Sequence, residues 1–239
     1  MYFCYLDTEI YYKRAKADAK QVVLLHGFGA SSRTMQCLFS FLQKKGYDVL
    51  SVDFAGFGQS AEPKKSWSIY DYADSIKELI RHEKLQNPII LGHSFGGRVG
   101  IILAKDGEAS GLVLIDSAGI KPRRKLSYYL SVYNYKLRKK LGLSVEKYGS
   151  TDYKSLSEQM RETFVKVVNE HLDKEVCKIN CPTLILWGKD DKETPIYMAK
   201  KLNKEIKNSA CIILEGGHFS FLDSFNETCG IVESFLCSL

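Results

Sequence analysis

Six short runs, Gln21-Val-Val-Leu-Leu25, Asp48 to Val52, Pro88 to Leu91, Leu112 to Ile115, Thr183 to Trp187 and Cys211 to Leu214, are apolar almost throughout. A run with no alternation leaves no face for water, so each reads as a strand buried on both sides. The stretches between them read mostly as helices: Arg33 to Lys45, Ser68 to Lys84, Phe95 to Lys105, Ile196 to Asn203 and, after the last run, Phe219 to Leu236. Strands that alternate with helices imply an α/β fold, a mostly parallel sheet covered by helices on both faces. Tyr2 to Leu6 and Thr8 to Tyr12 alternate as a leading hairpin. With 239 residues, 45% of them hydrophobic, the chain can bury one substantial core.

The alternation breaks once. More than sixty residues separate Ile115 from Thr183, too many for a plain connection, so residues 120–176 are expected to form an inserted helical cap on a core domain of residues 1–119 and 177–239. Within the insertion, residues 121–147 carry nine basic side chains against the single acid Glu146, a net +8 in a chain of +6 overall, which leaves the remainder slightly acidic at −2. Leu126, Tyr129, Leu130, Tyr133 and Leu137 follow helical spacing. Tyr129 and Tyr133 are candidates for lining a pocket as well as for packing onto the body. The basic run reads as a solvated face or as a surface for an anionic substrate or acidic partner. No recognition motif accompanies it, so nucleic acid is not expected.

No stretch approaches the roughly 18 apolar residues of a membrane span, and the first residues lack the pattern of a signal peptide. A cytoplasmic protein, not integral to a membrane, is expected. The seven cysteines are odd in number and show no metal spacing, so they read as buried free thiols with no metal site. No cofactor is implied.

Chemistry concentrates in Ile89-Ile-Leu-Gly-His-Ser-Phe-Gly-Gly97, an expected strand that runs through Gly-x-Ser-x-Gly into an expected helix. A turn this sharp leaves room only for small residues two before and two after Ser94, and it lifts the hydroxyl above the sheet. Beyond it begins a helix whose first amides favour a developing oxyanion. A hydroxyl needs a base, and the base needs an acid to hold its tautomer. Two later loops supply both types: Gly188-Lys-Asp-Asp-Lys-Glu-Thr-Pro195 after one strand, and Glu215-Gly-Gly-His-Phe219 after the next. Parallel strands bring these loops to one edge of the sheet. The backbone amides of Phe28, in His26-Gly27-Phe28-Gly29, and of Phe95 are the expected oxyanion donors. His26 and His93 are expected to fix turns by hydrogen bonding, and His82 and His171 to lie on the surface.

The His26-Gly-Phe-Gly29 turn, Val52-Asp-Phe-Ala-Gly-Phe-Gly-Gln-Ser60, the Gly92-His-Ser-Phe-Gly-Gly97 elbow, Trp187-Gly-x-x-Asp-x-x-x-Pro195 and Gly217-His-Phe219 occur in this order. On them the sequence resembles the α/β-hydrolases over nearly its whole length, and among these the small esterase-like members with a helical cap. The resemblance implies Ser94 as nucleophile, His218 as base and Asp191 as acid. Asp190, next door, and Asp116, after an earlier strand, are the alternatives for the acid. It implies hydrolysis of a small ester-like substrate, thioesters and some amides reacting by the same steps. Carbon–carbon bond hydrolysis on the same triad, or a receptor-like protein with little turnover, are the alternatives. Dehalogenase and epoxide hydrolase chemistry are disfavoured, since those relatives carry a carboxylate where Ser94 stands.

Overall fold

In the computed structural model, which describes residues 1–123 and 156–239, each of the six apolar runs lies in a strand, except that Pro88 stands just before the strand that begins at Ile89. The strands are β1 (Tyr2–Tyr5), β2 (Thr8–Ala15), β3 (Gln21–Leu25), β4 (Asp48–Val52), β5 (Ile89–His93), β6 (Gly111–Ile115), β7 (Thr183–Gly188) and β8 (Ser209–Leu214). They form one sheet in the order β1-β2-β4-β3-β5-β6-β7-β8. β1 and β2 make the hairpin, β2 pairs antiparallel with β4, and the other pairings are parallel.

Burial explains why the central runs do not alternate. Val23, Leu25, Ile90, Leu112, Leu114 and Ile185 enter one core, while Val22, Leu24, Leu91, Val113, Ile115 and Leu186 enter the other, across the sheet. Successive side chains point to opposite faces, and here both faces are covered. Helices α1 (Gln36–Lys44) and, at the C-terminal end, α7 (Phe225–Ser238) cover the second face through Leu38, Phe39, Leu42, Val232 and Leu236. Helices α2 (Ile69–His82), α3 (Phe95–Lys105) and α5 (Tyr197–Glu205) cover the first. Helix α2 starts in a capping box: Ser68 accepts from the Asp71 amide while the Asp71 carboxylate accepts from the Ser68 amide, an arrangement that contributes about 1 kcal/mol.

Three expectations change. The stretch expected as one C-terminal helix from Phe219 is two, α6 (Ser220–Asp223) and α7, separated at Ser224 with φ −113° and ψ 47°. The break lets α6 turn back, with Asp223 accepting from the Gly217 amide at 2.9 Å. The cysteines are all free, but only Cys229 is buried; Cys4, Cys37, Cys177 and Cys237 are exposed. Cys4 lies on the open side of edge strand β1, and Cys37 is on the outer side of α1. His82 is exposed, but His171 is half-buried.

Of the expected insertion, the described part includes α4 (Glu158–Asn169), which packs on the body: Thr163 accepts from the Trp67 amide at 3.0 Å. Arg98 of α3, itself buried, donates to the carbonyls of Val167 and Glu170 at the end of α4. Tyr129, Tyr133 and most of the basic run lie outside the described residues. Among the described residues, no helix is long and apolar enough to cross a membrane.

Candidate active site

The site is assembled at the C-terminal edge of the parallel strands, where β5, β7 and β8 each hand over to a loop. Ser94 sits between β5 and α3 with φ 49° and ψ −108°, a region that a residue with a Cβ adopts only under strain of about 1–3 kcal/mol. Surrounding contacts hold it there. Its amide donates to the Ile115 carbonyl at 3.0 Å, and its carbonyl accepts from Gly97 and Ala118 at 3.1 and 3.0 Å. A Cβ on Gly92 would run into the backbone of Gly96, and one on Gly96 into the carbonyl of Leu25; that is the physical reason for glycine at both places.

Ser94 occupies the N-cap position of α3, yet its side chain makes no capping hydrogen bond. The hydroxyl is thereby left for another partner, and the first amides of α3 lack a preceding turn to donate to. The partner is His218: Ser94 Oγ lies 2.9 Å from His218 Nε2. On the other side of the ring, His218 Nδ1 lies 2.9 Å from Asp191 Oδ2. A carboxylate only accepts, so Nδ1 carries the proton and Nε2 presents a lone pair to the hydroxyl.

Asp191 is only 6% exposed and is tightly held. Its Oδ1 accepts from the amides of Glu193 and Thr194 at 2.8 and 2.9 Å, and its Oδ2 accepts from the Thr194 hydroxyl at 2.6 Å. Burial alone would raise its pKa, but the bonds from His218 and Thr194 outweigh burial and hold it below the usual value. For His218, burial alone would lower the pKa; the hydrogen bond and charge of Asp191 outweigh it, so the imidazole lies above its ordinary value. The Trp187 indole closes the acid loop by donating to the Thr194 carbonyl at 2.6 Å.

The other two carboxylates are placed differently. Asp190 is exposed. Asp116 is fully buried, and its oxygens accept from the Gly188 amide at 2.7 Å and from the Ser220 amide and hydroxyl at 3.1 and 2.6 Å. It thus ties the start of the acid loop to the residue two beyond His218. Burial raises its pKa to about 6.

On the opposite wall, the buried His26 ring accepts from the Phe54 amide at 3.0 Å through Nε2 and donates through Nδ1 to the Gly27 carbonyl at 2.7 Å. This is the turn-fixing part expected of it, and burial pushes its pKa down to about 4. Asp53 fastens the same loop by accepting from the Ser32 and Gln59 amides at 2.6 and 2.8 Å. Phe28, half-buried, packs its ring on Phe57, Phe95 and Phe164, with centroids 4.7, 5.6 and 5.2 Å away. Phe164 comes from α4, so that helix reaches the Phe28 cluster.

Residues that sequence reasoning missed are Thr194, Glu193, Ser220, Asp53 and Phe164. Glu193 is an exposed acid whose carboxylate lies 3.4 Å from His218 Nε2. A signal for part of this existed, because an aspartate that accepts from the amide two residues on is an ordinary Asx turn. Among the described residues, no three His, Cys, Asp or Glu side chains are grouped to hold a metal ion.

Residues 20–128 match the family model described as the α/β-hydrolase fold. An AB hydrolase superfamily protein, YisY of Bacillus subtilis, is 26% identical, with 90% of this chain and 91% of that protein covered. A proline iminopeptidase of Lactobacillus helveticus is also 26% identical, over 97% of this chain and 95% of that one. Among solved structures, an esterase from Exiguobacterium antarcticum superposes with a TM-score of 0.77 at 23% identity, covering 96% of each chain.

Proposed function

We propose that the chain, which has the α/β-hydrolase fold, is a serine hydrolase that cleaves carboxylic esters through an acyl-enzyme on Ser94. The observation that carries this reading is the continuous line from Asp191 Oδ2 through His218 to Ser94 Oγ, two contacts of 2.9 Å each. His218 Nε2 takes the hydroxyl proton as Ser94 Oγ attacks the carbonyl carbon, and Asp191 stabilises the imidazolium that results. The tetrahedral oxyanion accepts from the amides of Phe28 and Phe95. His218 then returns the proton to the leaving alkoxide. A water deprotonated by His218 attacks the acyl-enzyme and releases the acid, restoring Ser94.

The aromatic cluster of Phe28, Phe57 and Phe95, with Phe164 above it, supports an apolar acyl group beside the oxyanion turn. Amides react by the same steps, and a relative named as a proline iminopeptidase makes them the comparison of choice. The test is a series of p-nitrophenyl esters from acetate to a long acyl chain, set against proline p-nitroanilide. The expected result is a burst of p-nitrophenol stoichiometric with enzyme, or steady turnover, with an optimum at one acyl length. Cleavage of the anilide alone would replace the ester assignment with an amide one.

A further inference from the structure

One buried histidine packs against His218 and adjoins Ser94 in sequence without belonging to the line of proton transfer. His93, the last residue of β5, is 1% exposed. Its ring packs on those of His218, Phe219 and Phe221 at centroid distances of 5.0, 4.9 and 5.1 Å. Its Nε2 lies 2.7 Å from the main-chain carbonyl of His218. A carbonyl only accepts, so Nε2 carries the proton. Nδ1 is buried with no hydrogen-bond partner among the described residues, and a Cβ on Gly27 of the oxyanion turn would lie 3.0 Å from it. Burial pushes the pKa of the ring down to about 4, so it is neutral over the working range.

We propose that His93 is a positioning residue for the reaction: its Nε2–H holds the main chain of His218 at the distance from Ser94 that proton transfer needs. The residue adjoins the nucleophile in sequence and reaches the base across the sheet edge, so it fixes their separation through one rigid ring. Packing against Phe219 and Phe221 needs only an apolar body. The hydrogen bond is the extra element, and it comes with an unpaired Nδ1, a cost that an apolar residue of similar size would avoid. The inference rests on the reading of His218 as the base.

Glutamine and methionine are close in length and shape, and only glutamine can donate. The experiment measures kcat and KM for p-nitrophenyl acetate, the rate of fluorophosphonate labelling and the thermal midpoint for wild type, His93→Gln and His93→Met. In His93→Met, kcat and the labelling rate are expected to fall about 10-fold or more, with KM within about twofold, since misplacement of a reacting group acts on the chemical step. His93→Gln is expected to recover to within about threefold of wild type, on the same reasoning about placement. Equal kcat in the two variants, with a wild type that labels on Ser94, would overturn this inference alone. A wild type that never labels removes the hydrolase reading and this inference with it. If either variant does not fold, the wild-type imidazole nitrogen spectrum decides: a protonated Nε2 with a bare Nδ1 between pH 5 and 8 is expected, and the reverse tautomer would overturn it.

Discussion

Replacing Ser94 with alanine lowers kcat for an ester by about 10⁵- to 10⁶-fold, the loss typical of removing a nucleophile from a working triad. The thermal midpoint is expected to move little, for reasons particular to this turn. The hydroxyl caps no amide of α3, so its removal leaves no helix amide newly unpaired. The contacts that hold the strained backbone, from the Ser94 amide to Ile115 and from Gly97 and Ala118 to the Ser94 carbonyl, are main-chain contacts that alanine keeps. What disappears is the one atom 2.9 Å from His218 Nε2. Residual turnover above the buffer rate would reflect the oxyanion amides and substrate binding. A variant that keeps more than about a hundredth of wild-type kcat would show that the reaction runs without this hydroxyl.

The second large effect is expected at Asp191. Asp191→Asn should lower kcat about 10⁴-fold, because the amide no longer fixes the proton on His218 Nδ1 and the ring can present the wrong tautomer to Ser94. The pH profile gives a second readout. A protonated His218 cannot accept the Ser94 proton, so kcat/KM rises with pH through its pKa. Burial lowers that pKa and Asp191 more than offsets the burial. In wild type the midpoint therefore lies above the ordinary imidazole value, and in Asp191→Asn it moves down. Asp190→Asn, at an exposed position, should stay within about twofold of wild type. Asp116→Asn should chiefly lower the thermal midpoint, since an amide nitrogen would then face the Ser220 or Gly188 N–H. If Asp190→Asn or Asp116→Asn moved the pH midpoint as far as Asp191→Asn does, the acid would have to be reassigned.

Much of this architecture was legible because its signals are local and physically strict. A strand covered on both faces is apolar almost throughout, and the runs at Gln21, Asp48, Ile89, Leu112 and Thr183 lie in such strands; the run at Cys211 also lies in a strand, but β8 is at the edge of the sheet and Ile213 is exposed. Crowding around Ser94 admits only glycine at 92 and 96, so that turn announces itself. The placement of Asp191 came from a motif, and its physical basis is the loop that Trp187 and Thr194 close around it.

What was not legible depends on contacts between distant segments. Nothing local marks Asp116 as a tie between the Gly188 and Ser220 loops, since its partners lie 72 and 104 residues away. The same holds for Arg98, which meets the end of α4. The break at Ser224 was hidden because Phe219 to Leu236 is compatible with one helix; the need to direct α6 back toward Asp116 and Gly217 is a tertiary demand. Cysteine exposure was misjudged because residue type sets only an average burial, whereas Cys4 and Cys37 sit on the outer sides of β1 and α1.

A Ser94 hydroxyl activated by His218 should react with a fluorophosphonate, as a single labelling experiment can show. The wild-type protein and Ser94→Ala are treated with a fluorophosphonate, their intact masses are compared, and the modified peptide is sequenced. One adduct per wild-type chain, located on Ser94, and none on Ser94→Ala are expected. An unlabelled wild type, or an adduct that persists in Ser94→Ala, would contradict Ser94 as the activated nucleophile.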